Sequence, residues 1–161
     1  MFRTGIGFDV HALVTDRPMI IGGVQISHTK GLLGHSDADV LVHAVMDAIL
    51  GALALGDIGQ HFPSDDERWR GAPSQKFLEH AKHLMHEKGY TAVNIDATVI
   101  LQAPKIRLYI SEMRENIARF LSISIDTVSV KATTTDRLGF TGSGDGIAAT
   151  AVALLTKING N

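Results

Sequence analysis

Apolar and polar residues alternate from the second position onward: Phe2, Ile6, Phe8 and Val10 are interleaved with Arg3, Gly5, Gly7, Asp9 and His11. A period of two predicts a half-buried strand. The apolar set is expected to face the core, and Asp9 and His11 to leave the opposite face beside two bare glycines. Two short apolar runs around Gly22 and Gly23, within residues 18–27, predict a hairpin or a bulged strand. The period then lengthens. Residues 36–55 read as a helix in which Ser36 caps, Asp39 completes a capping box, and Val40, Ala44, Ile49 and Leu53 point inward; Gly51 is a mild cost. Residues 56–74 are rich in Gly, Pro and acids and read as a long loop, of a length usually tied to function or mobility.

Ser74 is placed to cap a second helix, whose Phe77, Leu78, Ala81, Leu84 and Met85 form one stripe ended by Gly89. Residues 90–101 predict a strand with Val93, Ile95, Ala97, Val99 and Leu101 on one side, broken by Pro104. A third helix is predicted over 111–121, with Met113, Ile117, Phe120 and Leu121 inward, and a further strand over 127–134. Residues 138–146 form a Gly-rich turn. The stretch 147–158 is apolar at nearly every position, and its period does not decide between helix and strand. Mixed strands and helices predict an α+β or α/β layered domain.

Length and composition narrow the class. The 161 residues, 45% of them apolar, suit one globular unit over 1–161 with a sizeable core. A formal charge of -2 lacks the basic footprint of nucleic-acid binding. Cysteine is absent, so disulfides, thiolate metal sites and Cys nucleophiles are excluded, and a metal would rest on His, Asp or Glu. The N-terminal residues lack a signal-peptide pattern and no apolar run reaches the ~18 residues of a membrane helix, so a soluble cytoplasmic protein is expected.

Candidate chemistry begins at GFDVH, residues 7–11. Asp9 and His11, two apart on a strand, point the same way and form half a metal site. On the following helix Asp39, His43 and Asp47 share a face at i, i+4 and i+8, which sets a histidine between two carboxylates able to orient its second nitrogen. Asp9, His11 and His43, with no fourth protein ligand, would make an open, catalytic style of zinc site. His80, His83 and His86 read as a solvated helix face, and His28 and His61 as loop residues without partners. His35 precedes the expected cap at Ser36, where backbone N–H groups favour an anion such as phosphate. KATTTD, residues 131–136, ends a strand with hydroxyls able to hold phosphoryl oxygens and with Asp136 able to hold a hard cation such as Mg²⁺. LQAPKIR, residues 101–107, offers backbone at a Pro break and two cations, Lys105 and Arg107.

GFDVH, the run GLLGHSDADVLVHAVMDAILGALALGDIG, LQAPKIR and VKATTTDRLGFTGSGDGIA together resemble the 2-C-methyl-D-erythritol 2,4-cyclodiphosphate synthase family of the non-mevalonate isoprenoid pathway, essentially from end to end. The resemblance implies a single compact α+β domain of the chorismate-mutase-like or ferredoxin-like type, with a mixed four-stranded-type sheet packed on helices, assembled as a homotrimer with active sites at subunit interfaces. It implies that the final apolar stretch is a strand near the trimer core. The implied reaction is attack of the 2-phosphate of a cytidine diphosphate ester on its own β-phosphorus, with release of CMP. An anionic phosphate needs no strong base to become a nucleophile, so such catalysis rests on positioning and charge stabilisation.

By the same resemblance one Zn²⁺ per subunit falls on Asp9, His11 and His43, and a second divalent cation, Mg²⁺ or Mn²⁺, near Asp136. His35 and Thr134 would steady the transition state and Ser36 would bind phosphate. Asp9, Val10 and His11 fall on positions that hold the substrate, and Asp57, Ile58 and Gly59, with the loop Phe62, Pro63, Ser64, Asp65 and Asp66, fall on those that hold its methylerythritol part. Leu101, Gln102, Ala103, Pro104, Lys105, Ile106 and Arg107 fall on the segment that receives the nucleotide from a neighbouring chain. Thr133, Thr134, Thr135 and Asp136 fall on the other phosphate-binding run. Three positions depart from the family pattern: Asp136 stands where many members have Glu, Ser64 where some carry an acid, and Ser143 where many have Arg. That Arg faces the trimer axis, where an isoprenoid diphosphate can bind; this chain retains Phe140 there. Competing readings are a zinc-dependent phosphodiesterase that uses water, and a non-catalytic trimer that binds an isoprenoid or a nucleotide.

Overall fold

Strand β1, Phe2–Val14, pairs antiparallel along nearly its whole length with β7, Gly146–Lys157, from Phe2 opposite Thr156 to Ala12 opposite Gly146. The apolar C-terminal stretch is therefore a strand. It is an inner strand, since its other edge pairs antiparallel with β5, Tyr90–Ile100, and an inner strand reads as a nearly continuous apolar run. These relationships come from a computed structural model that describes residues 1–158; residues 159–161 of the expected unit lie outside the described residues.

Strand β6, Val128–Thr133, runs parallel to β5, and a two-residue strand β4, Gly31–Leu32, borders β1 at Leu13 and Val14. The order is β4-β1-β7-β5-β6. The expected four-stranded sheet is thus widened by one short edge strand. Because β1 and β5 both oppose β7, the C-terminal ends of β1, β5 and β6 meet at one end of the sheet. Strands β2, Met19–Ile21, and β3, Val24–Ile26, form the separate hairpin expected around Gly22 and Gly23.

Helix α1, Val40–Leu53, lies across β1 and β7, and all its residues except Asp47 and Gly51 are buried. It starts later than expected. Ser36 does not cap it; Asp39 does, its carboxylate accepting from Val42 N and also from the amides of Gly22 and Gly23. Ala38 adopts a left-handed φ of 58°, so the chain cannot be helical before Asp39. One carboxylate thereby starts the helix and fastens the β2–β3 hairpin to it.

The segment expected to be a long loop contains a short helix α2, Ile58–His61, and a 3₁₀ turn at Glu67–Trp69. Helix α3, Gln75–Glu87, packs on α1, and α4, Ile110–Leu121, packs on α3 and β6, with Phe77, Leu78, Ala81, Met85, Met113, Ile117, Phe120 and Leu121 buried as their spacing predicts. The Gly-rich turn holds a five-residue helix α5, Gly139–Ser143. No helix among the described residues is long and apolar enough to cross a membrane.

Two expectations about strand faces are corrected. Val93 does not join the inward row of β5, because the register shifts between Ala92 and Asn94 and Val93 forms the bulge. On β1 the two faces are exchanged. Phe2, Ile6, Phe8 and Val10 lie on the uncovered side of the sheet, with Ile6 73% and Phe8 58% exposed, while Gly5, Gly7, Asp9 and His11 face the helices. The alternation is real, but the helix layer covers the small and polar parity.

Candidate functional site

The glycines on β1 explain why the site forms. A Cβ on Gly5 would sit 2.0 Å from the Ala48 carbonyl oxygen, and one on Gly7 would sit 1.9 Å from that of Ala44. Only bare glycine lets the helix backbone lie directly on the strand. His43, adjacent to Ala44, is thereby set against the next residues of the same strand face. Asp9 Oδ2 lies 3.0 Å from His11 Nε2 and 3.0 Å from His43 Nδ1, and the two ring nitrogens are 3.2 Å apart. The three expected ligands are therefore brought together, half-buried to buried.

The other ring nitrogens define what these three atoms offer. His11 Nδ1–H donates to the Leu33 carbonyl oxygen at 2.9 Å, which leaves Nε2 as a lone pair. His43 Nε2 lies 2.9 Å from Ser74 Oγ and 3.4 Å from Ser36 Oγ, while Nδ1 faces Asp9. Two lone pairs and a carboxylate oxygen thus converge at near-contact, an arrangement that repels itself unless positive charge sits among them. A proton is one solution. Burial opposes it at His11, but the hydrogen bond and charge of Asp9 outweigh burial and hold the imidazole above its usual range. Burial likewise pushes the Asp9 carboxyl up, yet its two histidine partners win and hold it well below the usual carboxylate range. A divalent cation is the other solution. Ligands about 2.0 Å from a tetrahedral metal stand about 3.3 Å from one another, close to the observed separations, and two imidazoles with one carboxylate leave a fourth position open.

The carboxylates expected to orient His43 do not touch it. Asp39 is turned to the helix start and the hairpin, and Asp47 accepts the Ile58 amide at 2.7 Å, joining α1 to α2. Burial pushes the Asp39 carboxyl up to about 6 and also raises that of Asp47. The side chain that contacts His43 Nε2 instead is Ser74, which is in turn bonded to Asp37. Neither was distinguishable from a helix cap and a polar loop residue, because Ser74 stands 31 positions from His43 and only the fold joins them.

The donor set opens onto a pocket of about 210 Å³. Of the expected site residues, His35, Ser36, Ile58, Gly59, Phe62 and Ser64 line it, and Trp69 and Phe77, which had no expected site role, complete its wall. Phe62 stacks on Phe77 at 4.2 Å and meets Trp69 edge-on at 4.7 Å. Trp69 stands alone as a large aromatic in a polar stretch, which was the available signal for it. His35 Nε2–H donates to the Asp66 carbonyl oxygen at 2.9 Å, tying the loop to the segment before α1. Asp57 caps α2 through Gln60 N. Pro63 and Asp65 stand outside the pocket lining, Asp66 pairs its carboxylate with Arg68, and Val10 lies on the other face of β1. His61 and His80, expected to be a loop residue and part of a solvated face, pack together at 5.5 Å.

A second pocket of about 190 Å³ opens at the C-terminal ends of β5 and β6, lined by Leu101, Gln102, Pro104, Lys105, Ile106 and Arg107 together with Ala132, Thr133 and Thr134. Ala103 precedes Pro104 through a cis peptide bond. Thr134 Oγ1 donates to Asp136 Oδ1 at 3.2 Å, whereas Thr135 Oγ1 turns away to Thr141 and the Leu138 carbonyl oxygen. The Arg137 amide donates to Gln102 Oε1 at 3.3 Å, which links the two segments. Phe140 is about half exposed on α5, and Ser143 Oγ donates to Asp145. The two pockets share no lining residue.

The model described as the YgbB family matches residues 2–156. A 2-C-methyl-D-erythritol 2,4-cyclodiphosphate synthase of Desulfitobacterium hafniense is 58% identical over 98% of this chain and 100% of its own. Its counterpart in Geobacillus kaustophilus is 60% identical over 98% and 99%. Among solved structures, the bifunctional IspDF from Campylobacter jejuni superimposes with a TM-score of 0.94 at 43% identity; 98% of this chain is covered, and it spans 42% of that longer protein. The IspF of Plasmodium falciparum in its CDP complex gives a TM-score of 0.87 at 35% identity, covering 98% of this chain and 97% of that one.

Proposed function

The chain belongs to the YgbB family, the 2-C-methyl-D-erythritol 2,4-cyclodiphosphate synthases, and from that membership we propose that it closes a cytidine diphosphate ester of methylerythritol 2-phosphate into the 2,4-cyclodiphosphate with release of CMP. It is an enzyme of the phosphorus–oxygen lyase class. The observation that carries the reading is the convergence of Asp9, His11 and His43 as three acceptors at the mouth of an aromatic-walled pocket. Asp9, His11 and His43 would hold a Zn²⁺, which would supply positive charge to a phosphoryl oxygen.

This chain's own residues do the rest. Phe62, Trp69 and Phe77 shield the pocket from water and seat the apolar side of the methylerythritol, with Ile58, Gly59 and Ser64 at its rim. His35 and Ser36 stand beside the ligand triangle, where an imidazole and a hydroxyl can steady phosphate oxygens. The second pocket suits a nucleotide: Lys105 and Arg107 offer charge to phosphates, and backbone around Pro104 offers groups for a base edge. Thr134 would bind phosphate beside Asp136, which would hold a second divalent cation to supply charge to the substrate diphosphate. That solved relatives are described as complexes with CDP supports this division.

The separation of the two pockets supports a homotrimer in which the donor triangle of one chain is completed by the 101–107 segment of the next. The uncovered apolar face of β1 and β7 is a surface for such contact. Ser143, in place of an arginine, removes a positive charge per chain from an axial isoprenoid diphosphate site, so such a ligand should bind more weakly here than in relatives that keep it. The test is incubation with the cytidine diphosphate substrate, Zn²⁺ and Mg²⁺, followed by phosphorus NMR, with His43→Ala as control. A cyclic diphosphate with equimolar CMP, lost in the control, supports the synthase; CMP with an acyclic product supports hydrolysis instead.

A further inference from the structure

From the contacts behind His43 we infer that Ser74 and Asp37 are positioning residues that hold a proton on Nε2 of His43, so that Nδ1 is the nitrogen left to serve as a ligand atom. The geometry leaves one consistent arrangement of protons. Asp37 is an acceptor: its Oδ2 takes the Ser74 amide at 2.8 Å, and its Oδ1 takes the Asp39 amide at 3.2 Å. The single hydroxyl proton of Ser74 therefore goes to Asp37 Oδ1 in a short hydrogen bond. With its proton committed, Ser74 Oγ can only accept from the ring nitrogen 2.9 Å away, which must carry N–H. Ser74 is fully buried, so water does not compete for that contact. Ser36 Oγ, which accepts the Ala38 amide at 3.2 Å, lies farther from the ring at 3.4 Å and, with its own proton uncommitted, can adapt to the choice Ser74 makes.

The arrangement reaches across the fold. Asp37 precedes α1, Ser74 ends the pocket loop, and the Asp37 amide donates back to Ala72 O at 3.1 Å. Docking of α3 is thereby coupled to the ligand geometry on α1. A hydroxyl interposed between carboxylate and imidazole does what a direct carboxylate does behind many metal-bound histidines: it fixes the tautomer and the ring plane. Ser74, at the first position before α3, makes no capping bond of its own, consistent with its hydroxyl serving His43.

The inference rests on Asp9, His11 and His43 being a cation site, and the experiment separates the two. Metal-stripped full-length protein is compared with Ser74→Ala, Ser74→Thr and Asp37→Asn. Imidazole ¹⁵N NMR reads the His43 tautomer without metal, and calorimetric titration with Zn²⁺ reads affinity. Wild type should show Nε2–H. Asp37→Asn can donate an amide proton to Ser74 Oγ, which frees the hydroxyl to donate to Nε2 and drives the ring proton to Nδ1; it should lower affinity by about 10–100-fold. Ser74→Ala should give mixed tautomers and a loss of similar size, and Ser74→Thr should restore affinity to within about threefold. Retention of Nε2–H and of wild-type affinity in both Ser74→Ala and Asp37→Asn overturns the inference. Failure of wild type to bind Zn²⁺ overturns the cation reading, while the tautomer measurement still decides the role of Ser74 and Asp37.

Discussion

A Cβ atom on Gly7 would stand 1.9 Å from the carbonyl oxygen of Ala44, and this backbone-to-backbone approach is what brings His43 within 3.0 Å of Asp9. Gly7→Ala must push strand and helix apart. Overpacking of this kind, with backbone on both sides, should lower stability by about 3 kcal/mol or more, and Zn²⁺ affinity should fall with it because the ligand triangle widens. Gly51→Ala is the control: an added Cβ there meets only Ile6 O at 3.8 Å, and alanine in a helix interior should raise stability by about 0.5–1 kcal/mol. Thermal melts and Zn²⁺ titrations of both variants check the contrast.

The ligand triangle should reverse the sign of its pH dependence when metal is added. Without metal, His11 is held above its ordinary value of 6.5, so the stability it contributes is present below 6.5 and is lost as pH rises through the raised value. Asp9 is held below 3.8, so its contribution is present above 3.8 and is lost as pH falls toward the lowered value. The metal-free protein should therefore gain most from this pair between 3.8 and 6.5. Zn²⁺ must displace the His11 proton, so its affinity should rise with pH through the same upper range, with release of protons. Melting temperature against pH, with and without Zn²⁺, checks both slopes.

Asp39 should matter more than an ordinary cap. Its carboxylate serves Val42 N, Gly22 N and Gly23 N together, so Asp39→Ala removes a cap worth about 1 kcal/mol and strands two more amides at about 1–3 kcal/mol each if they stay dry. Because burial raises its carboxyl to about 6, ionisation should lower stability as pH rises from about 4 to about 6, the window between its unfolded and folded values. Asp39→Asn should flatten that part of the profile while lowering its height. Denaturant unfolding at several pH values measures this.

Strand parity in the sequence is enough to bring Asp9 and His11 to one side, and helix periodicity is enough to offer His43, so the ligand triangle was legible before any coordinates. Which side the helices cover was not. Phe2, Ile6, Phe8 and Val10 look like a core row, but Gly5 and Gly7 on the opposite parity were the better signal, since paired glycines allow close approach of another backbone. Ser36 and Asp39 have the spacing of a capping box with Ser36 as the cap, but the left-handed Ala38 moves the helix start so that Asp39 is itself the cap. Ser74 and Asp37 escaped notice for a different reason: contacts between a loop end and a helix start depend on how α3 docks, which no local pattern records.

Strand β1 leaves a row of apolar residues uncovered. Ile6 is 73% and Phe8 58% exposed, and Val152, directly opposite Ile6 on β7, is 44% exposed, so a contiguous apolar strip runs across two neighbouring strands. If this strip is where three chains meet, Phe8→Glu should place three carboxylates in one buried interface and dissociate the assembly. Folding of the single chain should survive, because Phe8 makes no part of the core under α1. Zn²⁺ binding should survive as well, because the ligand triangle is built from Asp9, His11 and His43 of one chain on the other face. Turnover should be lost, since the donor triangle and the 101–107 pocket share no residue within a chain. Sedimentation velocity, Zn²⁺ titration and product formation on the same sample distinguish the outcomes. A dissociated variant that binds Zn²⁺ without turnover supports the interface site, and a dissociated variant that still turns over shows that one chain holds the whole machinery.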